Sequence, residues 1–501
     1  MLACLRTAAV FGVEASPVHV EVDVSFGMPG FTMVGLPDAS VRESRDRVRS
    51  AIRNSGFDFP AHRITVNLAP ADLRKSGAAF DLPIALGILA AQGVVERRDI
   101  ADVVVLGELS LDGSIQAARG VLPIAAAARR DGVASILLPR VNAAEAVVVG
   151  GLSVLAVSSL TQAVDALNQP GTVAPAPALP EPVRVPPPDL RDVRGQLLAR
   201  RALEIAAAGA HNLLFVGPPG AGKTMMARRL PGILPPLTFD EALEVSAVHS
   251  VAGLLPAGSA LLAHRPFRAP HHTISNAALV GGGSQPRPGE ISLAHHGVMF
   301  LDEMLEFHRH VLDLLRQPLE EGTITIARST RSAVFPARFL LVAALNPCPC
   351  GFAGDAAREC RCTPQQLLQY RSRLSGPLRD RLDLTVEVPA VPPESLADGA
   401  LGECSEKVLD RVVAARSRQS QRYATERIAT NAELTPGLLA RWCRLDPSAL
   451  RMLGAAIRRL GLTARGYDRV RKVARTIADL EAHPDVGADH VAEALQFRVS
   501  V

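Results

Sequence analysis

The sequence contains little lysine, few aromatic residues and no long apolar run. Only four of its 54 basic residues are lysines, at positions 75, 223, 407 and 472. Because arginine is used almost everywhere else, a retained lysine such as Lys223 is a candidate for a position whose chemistry requires a primary amine. No run of about 18 consecutive apolar residues occurs, so the sequence predicts no membrane-spanning helix.

Cysteine is also scarce for the length of the chain. Seven cysteines in 501 residues are too few for a small domain held together by disulfides, and we expect a cytoplasmic protein with reduced thiols. The apolar stretch at the start is short, Glu14 interrupts it, and the alternating strand-like residues HVEVDVSF follow at once, so we do not expect a signal peptide. The net charge of +4 permits binding to nucleic acid without demonstrating it.

A proline-rich stretch divides the chain. Residues 169–189, QPGTVAPAPALPEPVRVPPPD, have almost no periodic apolar residues and predict an extended linker. In residues 1–168 and again in residues 190–391, strand-like and helical segments alternate, which predicts two α/β domains. In residues 392–501 apolar residues recur at three- and four-residue spacing, which predicts a helical lid.

A glycine-rich loop follows an apolar strand in HNLLFVGPPGAGKTMMARRL. The segment matches G-x-x-x-x-G-K-[ST], the phosphate loop, between the strand and the helix that this motif requires. Backbone N–H groups of such a loop surround phosphates, Lys223 would reach the outer phosphates, and Thr224 would bind magnesium. The predicted nucleotide-binding residues are Gly217, Pro218, Pro219, Gly220, Ala221, Gly222, Lys223 and Thr224.

Further polar residues follow later apolar strands. Asp302 and Glu303 come after GVMFL; Asp302 would hold magnesium and Glu303 would activate the attacking water. Acidic residues often follow strands at the protein surface, so the pair indicates a nucleotide site only in combination with the phosphate loop. Asn346 ends the next apolar strand, RFLLVAAL, and would polarise the same water. Arg379 and Arg381 precede another strand, where arginines are often simple surface charge.

This order of motifs resembles an AAA+ ATPase of the magnesium-chelatase-like branch. The segments FRAPHHTISNAALVGGGSQPRPGEISLAHHGVMFLDEM and TARGYDRVRKVARTIADL resemble the ComM (YifB) family closely, and the resemblance covers nearly the whole chain. It implies an α/β fold with a Lon-protease-like N-terminal domain, an AAA+ core and a helical lid. It also implies ATP and Mg²⁺ as cofactors and a homo-oligomeric ring, expected to be a hexamer.

The same resemblance assigns roles to further residues. Arg381 would be the finger that reaches the neighbouring subunit's γ-phosphate, with Arg379 as the alternative, and Arg465 would be the sensor arginine of the lid. The residues near the adenine would be Val193, Gly195 and Gln196.

The function implied is an ATP-driven motor on single-stranded or branched DNA. It would move junctions during homologous recombination of incoming DNA in natural transformation, with recombination proteins as candidate partners. The alternative is a motor like the magnesium-chelatase subunit, which drives a partner enzyme without DNA. We expect the N-terminal Lon-like domain, which the resemblance gives to the ComM family and not to that subunit, to separate the two together with a cluster of four cysteines after Asn346.

A third function, ATP-dependent proteolysis, depends on whether the Lon-like domain keeps its catalytic pair. Lon-type catalysis needs a serine activated by a lysine. Ala79 stands where the serine is expected, Ser76 lies three residues earlier, and Lys75 is the only lysine of the domain. We therefore expect an inactive scaffold.

Four cysteines lie close together after Asn346. Cys348, Cys350, Cys360 and Cys362 form two C-x-C pairs with nine residues between them. Four thiolates in this arrangement can hold Zn²⁺, and we expect a structural zinc, with a redox pair or unlinked thiols as alternatives. Cys4, Cys404 and Cys443 are scattered and are expected to be packing residues.

The segment EGTITIARSTRSAVFPARF alternates apolar and polar residues around a turn and predicts a β-hairpin. Arg328 and Arg331 would lie at its tip and contact DNA phosphates in the pore of a ring, unless the hairpin is only solvated surface. Two histidine pairs, at residues 271–272 and 295–296, are expected to point their side chains in different directions and to lie on pore loops or at the subunit contact.

Overall fold

The N-terminal part of the chain is built on a mixed seven-stranded sheet in the order β3-β4-β2-β1-β5-β8-β9. The computed structural model describes residues 1–73, 75, 77–96, 100–169, 171, 187–256, 258–283, 286–327, 332–354, 358–390 and 402–498. The strands of this part are β1 (Leu2–Phe11), β2 (Glu14–Ser25), β3 (Gly30–Val34), β4 (Arg63–Ala69), β5 (Val103–Val105), β6 (Glu108–Leu109), β7 (Ile115–Gln116), β8 (Ser135–Pro139) and β9 (Ser153–Val157). Of these, β6 and β7 pair with each other outside the large sheet. The helices are α1 (Ala39–Asn54), α2 (Asp81–Ala91), α3 (Val121–Arg130), α4 (Ala143–Val147) and α5 (Leu160–Asn168), with 3₁₀ turns at Ala78–Phe80, Ile100–Asp102 and Arg140–Asn142.

Both faces of this sheet are covered. Val103 and Val105 pack into one apolar cluster with α1, α2 and α5, and Val104 packs into another with α3 and α4, because successive side chains of a strand point to opposite faces. The strand predicted for HVEVDVSF is confirmed as part of β2, which pairs antiparallel with β1.

The central part of the chain contains a parallel five-stranded sheet in the order β11-β14-β17-β10-β18. Its β10 and β17 are buried throughout most of their length, as parallel strands covered on both faces are. The strands of this part are β10 (Leu213–Val216), β11 (Phe267–Arg268), β12 (Gly281–Gly282), β13 (Arg287–Pro288), β14 (Val298–Leu301), β15 (Thr323–Ala327), β16 (Ser332–Pro336), β17 (Leu340–Leu345) and β18 (Leu384–Glu387). Outside the five-stranded sheet, β12 pairs with β13 and β15 pairs with β16.

Short helices connect these strands. They are α6 (Leu197–Gly209), α7 (Lys223–Ala227), α8 (Phe239–Ala252), α9 (Asn276–Val280), α10 (Glu290–Leu293), α11 (Arg309–Asp313), α12 (Arg316–Glu321), α13 (Pro364–Arg371) and α14 (Gly376–Arg379), with 3₁₀ turns at Leu190–Asp192, Leu230–Ile233 and Met304–Glu306. The predicted hairpin is confirmed as the antiparallel pair β15 and β16. Its tip, with Arg328 and Arg331, lies outside the described residues.

The described C-terminal part is helical, as predicted. It contains α15 (Ser405–Arg422), α16 (Pro436–Trp442), α17 (Pro447–Leu460), α18 (Ala464–Leu480) and α19 (Ala488–Gln496), with a 3₁₀ turn at Asn431–Glu433. Helices α15 and α18 pack on α6, and Arg416 and Gln419 of α15 donate hydrogen bonds to carbonyls in its last turn, Ala207 O and Ala208 O. Residues 391–401, where the lid was expected to begin, and most of the predicted linker lie outside the described residues.

Among the described residues, the N-terminal part contacts the central part at α8 and at the hairpin. Helix α3 packs on α8, where the Ser250 hydroxyl donates a 2.5 Å hydrogen bond to the buried carboxylate of Glu145. The turn between β1 and β2 lies against the hairpin: a Cβ on Gly12 would lie 3.3 Å from Val334 O. Neighbouring Phe11 packs against the same apolar cluster as the hairpin.

Among the residues described, no helix combines the length and the apolar character needed to cross a membrane.

Candidate nucleotide-binding site

The loop after β10 has the backbone that a phosphate loop needs. A Cβ on Gly217 would overlap the carbonyl O of Val388, so this position admits only glycine. Gly220 and Gly222 have φ angles of +81° and +89°, in the left-handed region that glycine adopts without strain. Helix α7 begins at Lys223, directly after the loop.

The Lys223 amine lies inside the loop. Its Nζ donates to Gly217 O at 2.6 Å, to Pro218 O at 2.9 Å and to Asn346 Oδ1 at 3.2 Å. Burial lowers the pKa of Lys223, partly offset by Asp302 nearby. The lysine therefore connects the loop to the end of β17, where the sequence predicts a water-polarising amide.

The magnesium residues predicted from the sequence are neighbours. The Thr224 hydroxyl donates to Asp302 Oδ2 at 2.6 Å, so both oxygens could bind one cation, as hydroxyl and carboxylate ligands of Mg²⁺ do. Glu303 is exposed and has a φ of 50°. This uncommon conformation turns the chain at the end of β14, directly after the predicted magnesium ligand.

These groups surround one cavity of about 380 Å³. Its lining residues are Pro219, Gly220, Ala221, Gly222, Lys223, Thr224, Met225, Asp302, Glu303, Leu345 and Asn346. Predicted residues from three strand ends thus meet at the carboxyl edge of one parallel sheet, which is where open α/β sheets bind ligands.

The residues expected near the adenine lie beside this site rather than in the cavity wall. Gln196 donates from Nε2 to Pro389 O at 2.7 Å, and Pro389 follows Val388, the residue that touches Gly217. Val193 is fully buried, and Gly195 has a φ of +62°.

The two arginines predicted to act on phosphate do not line this cavity. Arg381 precedes β18, so it lies at the amino edge of the sheet, and its carbonyl accepts a 2.9 Å hydrogen bond from Asn212, the residue before β10. Its guanidinium donates to Pro377 O at 2.6 Å and pairs with Glu320. Arg465 lies 3.5 Å from Asp380, next to Arg381.

A larger cavity of about 800 Å³ lies along this amino edge. Asp380, Arg381 and Arg469 contribute to its lining. Because the phosphate loop and the carboxylates are at the opposite ends of the same strands, we assign phosphate chemistry to the smaller cavity. Arg379 is exposed on α14.

The four clustered cysteines converge after β17. The sulfur of Cys348 lies 3.3 Å from that of Cys350 and 3.7 Å from that of Cys360, and all four sulfurs, including that of Cys362, lie within 4.8 Å of one another. Backbone N–H groups of Phe352 and residue 361 lower the pKa of Cys350 to about 6, which favours its thiolate.

The second histidine pair corrects a prediction. His295 and His296 were expected to point in different directions, but the Nε2 atoms of both lie 3.0 Å from the same oxygen of Glu244. Nδ1 of His295 accepts from the backbone N–H of Arg338, so its Nε2 carries the proton and donates to the carboxylate.

Lys75 is buried, and its amine donates to Pro70 O. Burial lowers its pKa. The methyl side chain of Ala79 offers no nucleophile, and Ser76 lies outside the described residues.

The parallel sheet, the phosphate loop after its β10 strand and the acid pair at the end of β14 together define a P-loop protein of the AAA+ class. Three family models match the chain. "Magnesium chelatase, subunit ChlI" matches residues 189–396, "Subunit ChlI of Mg-chelatase" residues 20–142, and "Magnesium chelatase, subunit ChlI C-terminal" residues 402–498.

Two relatives that are similar to this chain over nearly their full length show which family within the AAA+ class it belongs to. The competence protein ComM of Haemophilus influenzae is 46% identical over 511 residues, with 100% of this chain and 98% of the relative covered. The protein YifB of Salmonella typhimurium is 46% identical over 508 residues, which cover 99% of this chain and 97% of the relative. The chain belongs to the magnesium-chelatase-like family of ComM and YifB.

A more distant similarity links the chain to a chelatase subunit itself. The magnesium-chelatase 38 kDa subunit of Rhodobacter capsulatus is 28% identical over 171 residues, which is 30% of this chain and 48% of the relative. The model that matches residues 20–142 is described as "Subunit ChlI of Mg-chelatase". The expectation that the N-terminal domain, together with the cysteine cluster, separates the two functions stays a prediction.

Proposed function

We propose that this protein is an ATP-driven DNA motor that promotes branch migration during homologous recombination of incoming DNA in natural transformation. The observation that carries the proposal is the likeness, at 46% identity over 511 residues, to a relative named competence protein ComM. The nucleotide cavity and the hairpin offer physical means for such an activity, and recombination proteins would be its partners.

ATP would be hydrolysed at the phosphate-loop cavity. Bound Mg²⁺ would neutralise developing charge on the phosphates. Lys223 would exchange its hydrogen bonds to loop carbonyls for bonds to phosphate oxygens, and Thr224 with Asp302 would hold the cation. Glu303, exposed at the cavity, would accept the proton of the attacking water, and the amide of Asn346 would orient that water.

The base of the nucleotide would lie beyond the loop. Val193, Gly195 and Gln196 would contact the adenine, because Gln196 is held by Pro389 next to the strand end that touches Gly217.

A neighbouring subunit would complete the site. A four-residue strand spans about 13 Å, and β18 separates Arg381 from the edge that carries the phosphate loop. Arg381 therefore fits a role in trans, as the finger for the γ-phosphate of a neighbour. Arg465, beside the same Asp380, would act on that face as the sensor arginine. A closed ring, most simply a hexamer, supplies every site with such a neighbour.

DNA would be held by the hairpin. Ile324 and Phe335 of β15 and β16 are buried in the central core, which anchors the base of the hairpin. Arg328 and Arg331 at that tip would grip phosphates, and contacts of this kind carry no base specificity.

Zinc would occupy the cysteine cluster. Four thiolates at about 2.3 Å from Zn²⁺ in a tetrahedron have sulfur separations of about 3.8 Å, close to the observed 3.7 Å between Cys348 and Cys360. Metal analysis of protein purified without chelator should find about one zinc per chain. Traces only, with thiols that react freely in the native protein, would remove zinc from the proposal.

The N-terminal domain would be a Lon-like scaffold without protease activity. Its only lysine, Lys75, is buried against Pro70 O, and alanine stands at position 79. The domain contacts α8 and the hairpin, which fits a supporting role.

The second candidate is a chelatase-like motor that drives a partner enzyme without DNA. It is favoured by the three chelatase descriptions of the matching models. ATPase rates at low salt with single-stranded, duplex and branched DNA decide between the two. Stimulation by DNA supports the DNA motor, and indifference to all three supports the chelatase-like motor.

A further inference from the structure

We propose that the cysteine cluster supports the phosphate loop, so that the metal held by the cluster sets the affinity for nucleotide. The inference rests on the zinc and nucleotide sites of the proposed function. The proposal adds that the cysteine cluster, although no cysteine lines the phosphate-loop cavity, controls how tightly that cavity binds nucleotide.

The two loops are in direct contact. Gly351 lies between the two C-x-C pairs, with a φ of +86°, and a Cβ at this position would lie 2.7 Å from Cδ and 2.9 Å from Cγ of Pro219. Pro219 belongs to the phosphate loop and lines its cavity. The backbone of the cysteine loop therefore touches the phosphate loop so closely that a methyl group does not fit between them.

Gly351 directly follows the first C-x-C pair. Its N–H donates to Cys348 O at 3.0 Å, which turns the chain between the first two thiols. Cys348 is fully buried and follows Asn346 by two residues. At the other end, Cys362 precedes Thr363, which caps α13 together with Gln366. A metal bound to all four sulfurs would join these two ends and hold Gly351 against Pro219.

Loss of the metal would release this contact. The binding energy of zinc to thiolates is also folding energy for the segment that carries them. A glycine-rich loop that is ordered in advance loses less conformational entropy when it closes around phosphates. A cysteine loop freed from its metal would therefore leave the phosphate loop less ordered and its affinity for nucleotide lower.

The first test measures the dissociation constant of ADP on the full-length protein. Zinc is removed by a chelator, the chelator is removed, and Mg²⁺ is restored before the titration. The metal-free protein should bind ADP about tenfold more weakly, and added zinc should restore the affinity. Equal affinity with and without zinc would overturn the coupling.

The second test leaves the thiols unchanged. Gly351→Ala introduces the methyl group that meets Pro219 and should weaken ADP binding about tenfold at unchanged zinc content. Gly354→Ala is the matched control: Gly354 lies in the same loop with a φ of +79°, and among the described residues nothing lies within 4 Å of its Cβ position. Both substitutions strain the backbone alike, so equal ADP affinity in the two variants would refute the contact.

A double-mutant cycle isolates the pair. Pro219→Ala removes the ring that the new methyl group meets, so Gly351→Ala should cost less ADP affinity in that background than in the wild type. Additive effects would contradict the inference.

The outcomes separate this inference from the proposed function. Protein that binds ADP but holds no zinc overturns the metal control. Protein that holds zinc and binds ADP independently of it overturns the coupling and leaves both sites standing. Protein that binds no nucleotide contradicts the proposed function itself.

Discussion

Nζ of Lys223 lies 3.2 Å from Oδ1 of Asn346, and this hydrogen bond joins the phosphate loop to the end of β17. An arriving nucleotide must replace it and the two bonds to loop carbonyls. Lys223→Ala should therefore weaken nucleotide binding itself, by about tenfold or more, as the loss of a charged hydrogen bond of 1.5–3 kcal/mol does. Equilibrium titration with ADP measures this. The control is Lys407→Ala, which removes an exposed lysine on α15 and should leave the affinity unchanged.

Glu303→Gln should separate binding from hydrolysis. Glutamine keeps the size of the side chain but cannot accept the proton of the attacking water, so we expect ATP binding near that of the wild type. Steady-state hydrolysis should fall by about 10²-fold or more. Glu306→Gln, three residues later and also exposed, is the control. Hydrolysis at the wild-type rate by Glu303→Gln would exclude this residue as the base.

Arg381→Ala should abolish hydrolysis through the neighbouring subunit. Loss of an arginine finger lowers kcat by about 10³-fold, whereas Arg379→Ala should have little effect. Mixing Arg381→Ala with Lys223→Ala should restore part of the activity, because some interfaces then combine an intact phosphate loop with an intact finger. Mixed rings that assemble and stay inactive would argue against action in trans.

Arg328→Ala with Arg331→Ala should separate the motor from its substrate. Basal hydrolysis should persist, while DNA stimulation and junction migration are lost. The logarithmic salt dependence of DNA binding should flatten by about 0.7 to 0.9 for each phosphate contact removed, whatever the DNA sequence. The matched control is Arg458→Ala with Arg459→Ala, an exposed arginine pair on α17. Unchanged stimulation in the hairpin variant would assign DNA binding to another surface.

Ser250→Ala should weaken the contact between the N-terminal and central parts. Glu145 is buried, and burial raises its pKa, although Ser250, Asn142 and the N–H of Leu122 donate to its carboxylate. Removing one donor should destabilise the protein by about 1–3 kcal/mol, measured by urea denaturation. Ser417→Ala on the exposed side of α15 should change the stability little. Equal midpoints for the two variants would show that the Ser250 hydrogen bond is not needed.

The sequence predicted the local elements of the nucleotide site well. Phosphate loop, acid pair and terminal asparagine each follow an apolar strand, and parallel strands bring their carboxyl ends to one edge. That rule is enough to place Lys223, Asp302 and Asn346 around one cavity. Apolar periodicity does not tell whether a strand runs parallel or antiparallel to its neighbours, so the position of Arg381 at the opposite edge emerged only from the parallel pairing of β10 with β18.

Contacts between segments distant in sequence were missed. His295 and His296 converge on Glu244 because His296 has a φ of 52°, which breaks the alternation assumed for a strand. A positive φ is signalled in a sequence mainly by glycine, and position 296 is histidine, so the sequence did not indicate this bend. The approach of Gly351 to Pro219 was equally invisible, although a glycine between two C-x-C pairs is a signal that space is restricted there.

The turn at Gly12 has a mechanical consequence for the hairpin. Because its backbone lies against Val334, and glycine leaves no side chain to yield, the hairpin cannot swing towards this turn without displacing β1 and β2. A stroke in that direction would push on the whole seven-stranded sheet, whereas a stroke away from it would open a gap. If the hairpin moves as proposed, the N-terminal sheet would limit that movement on one side only.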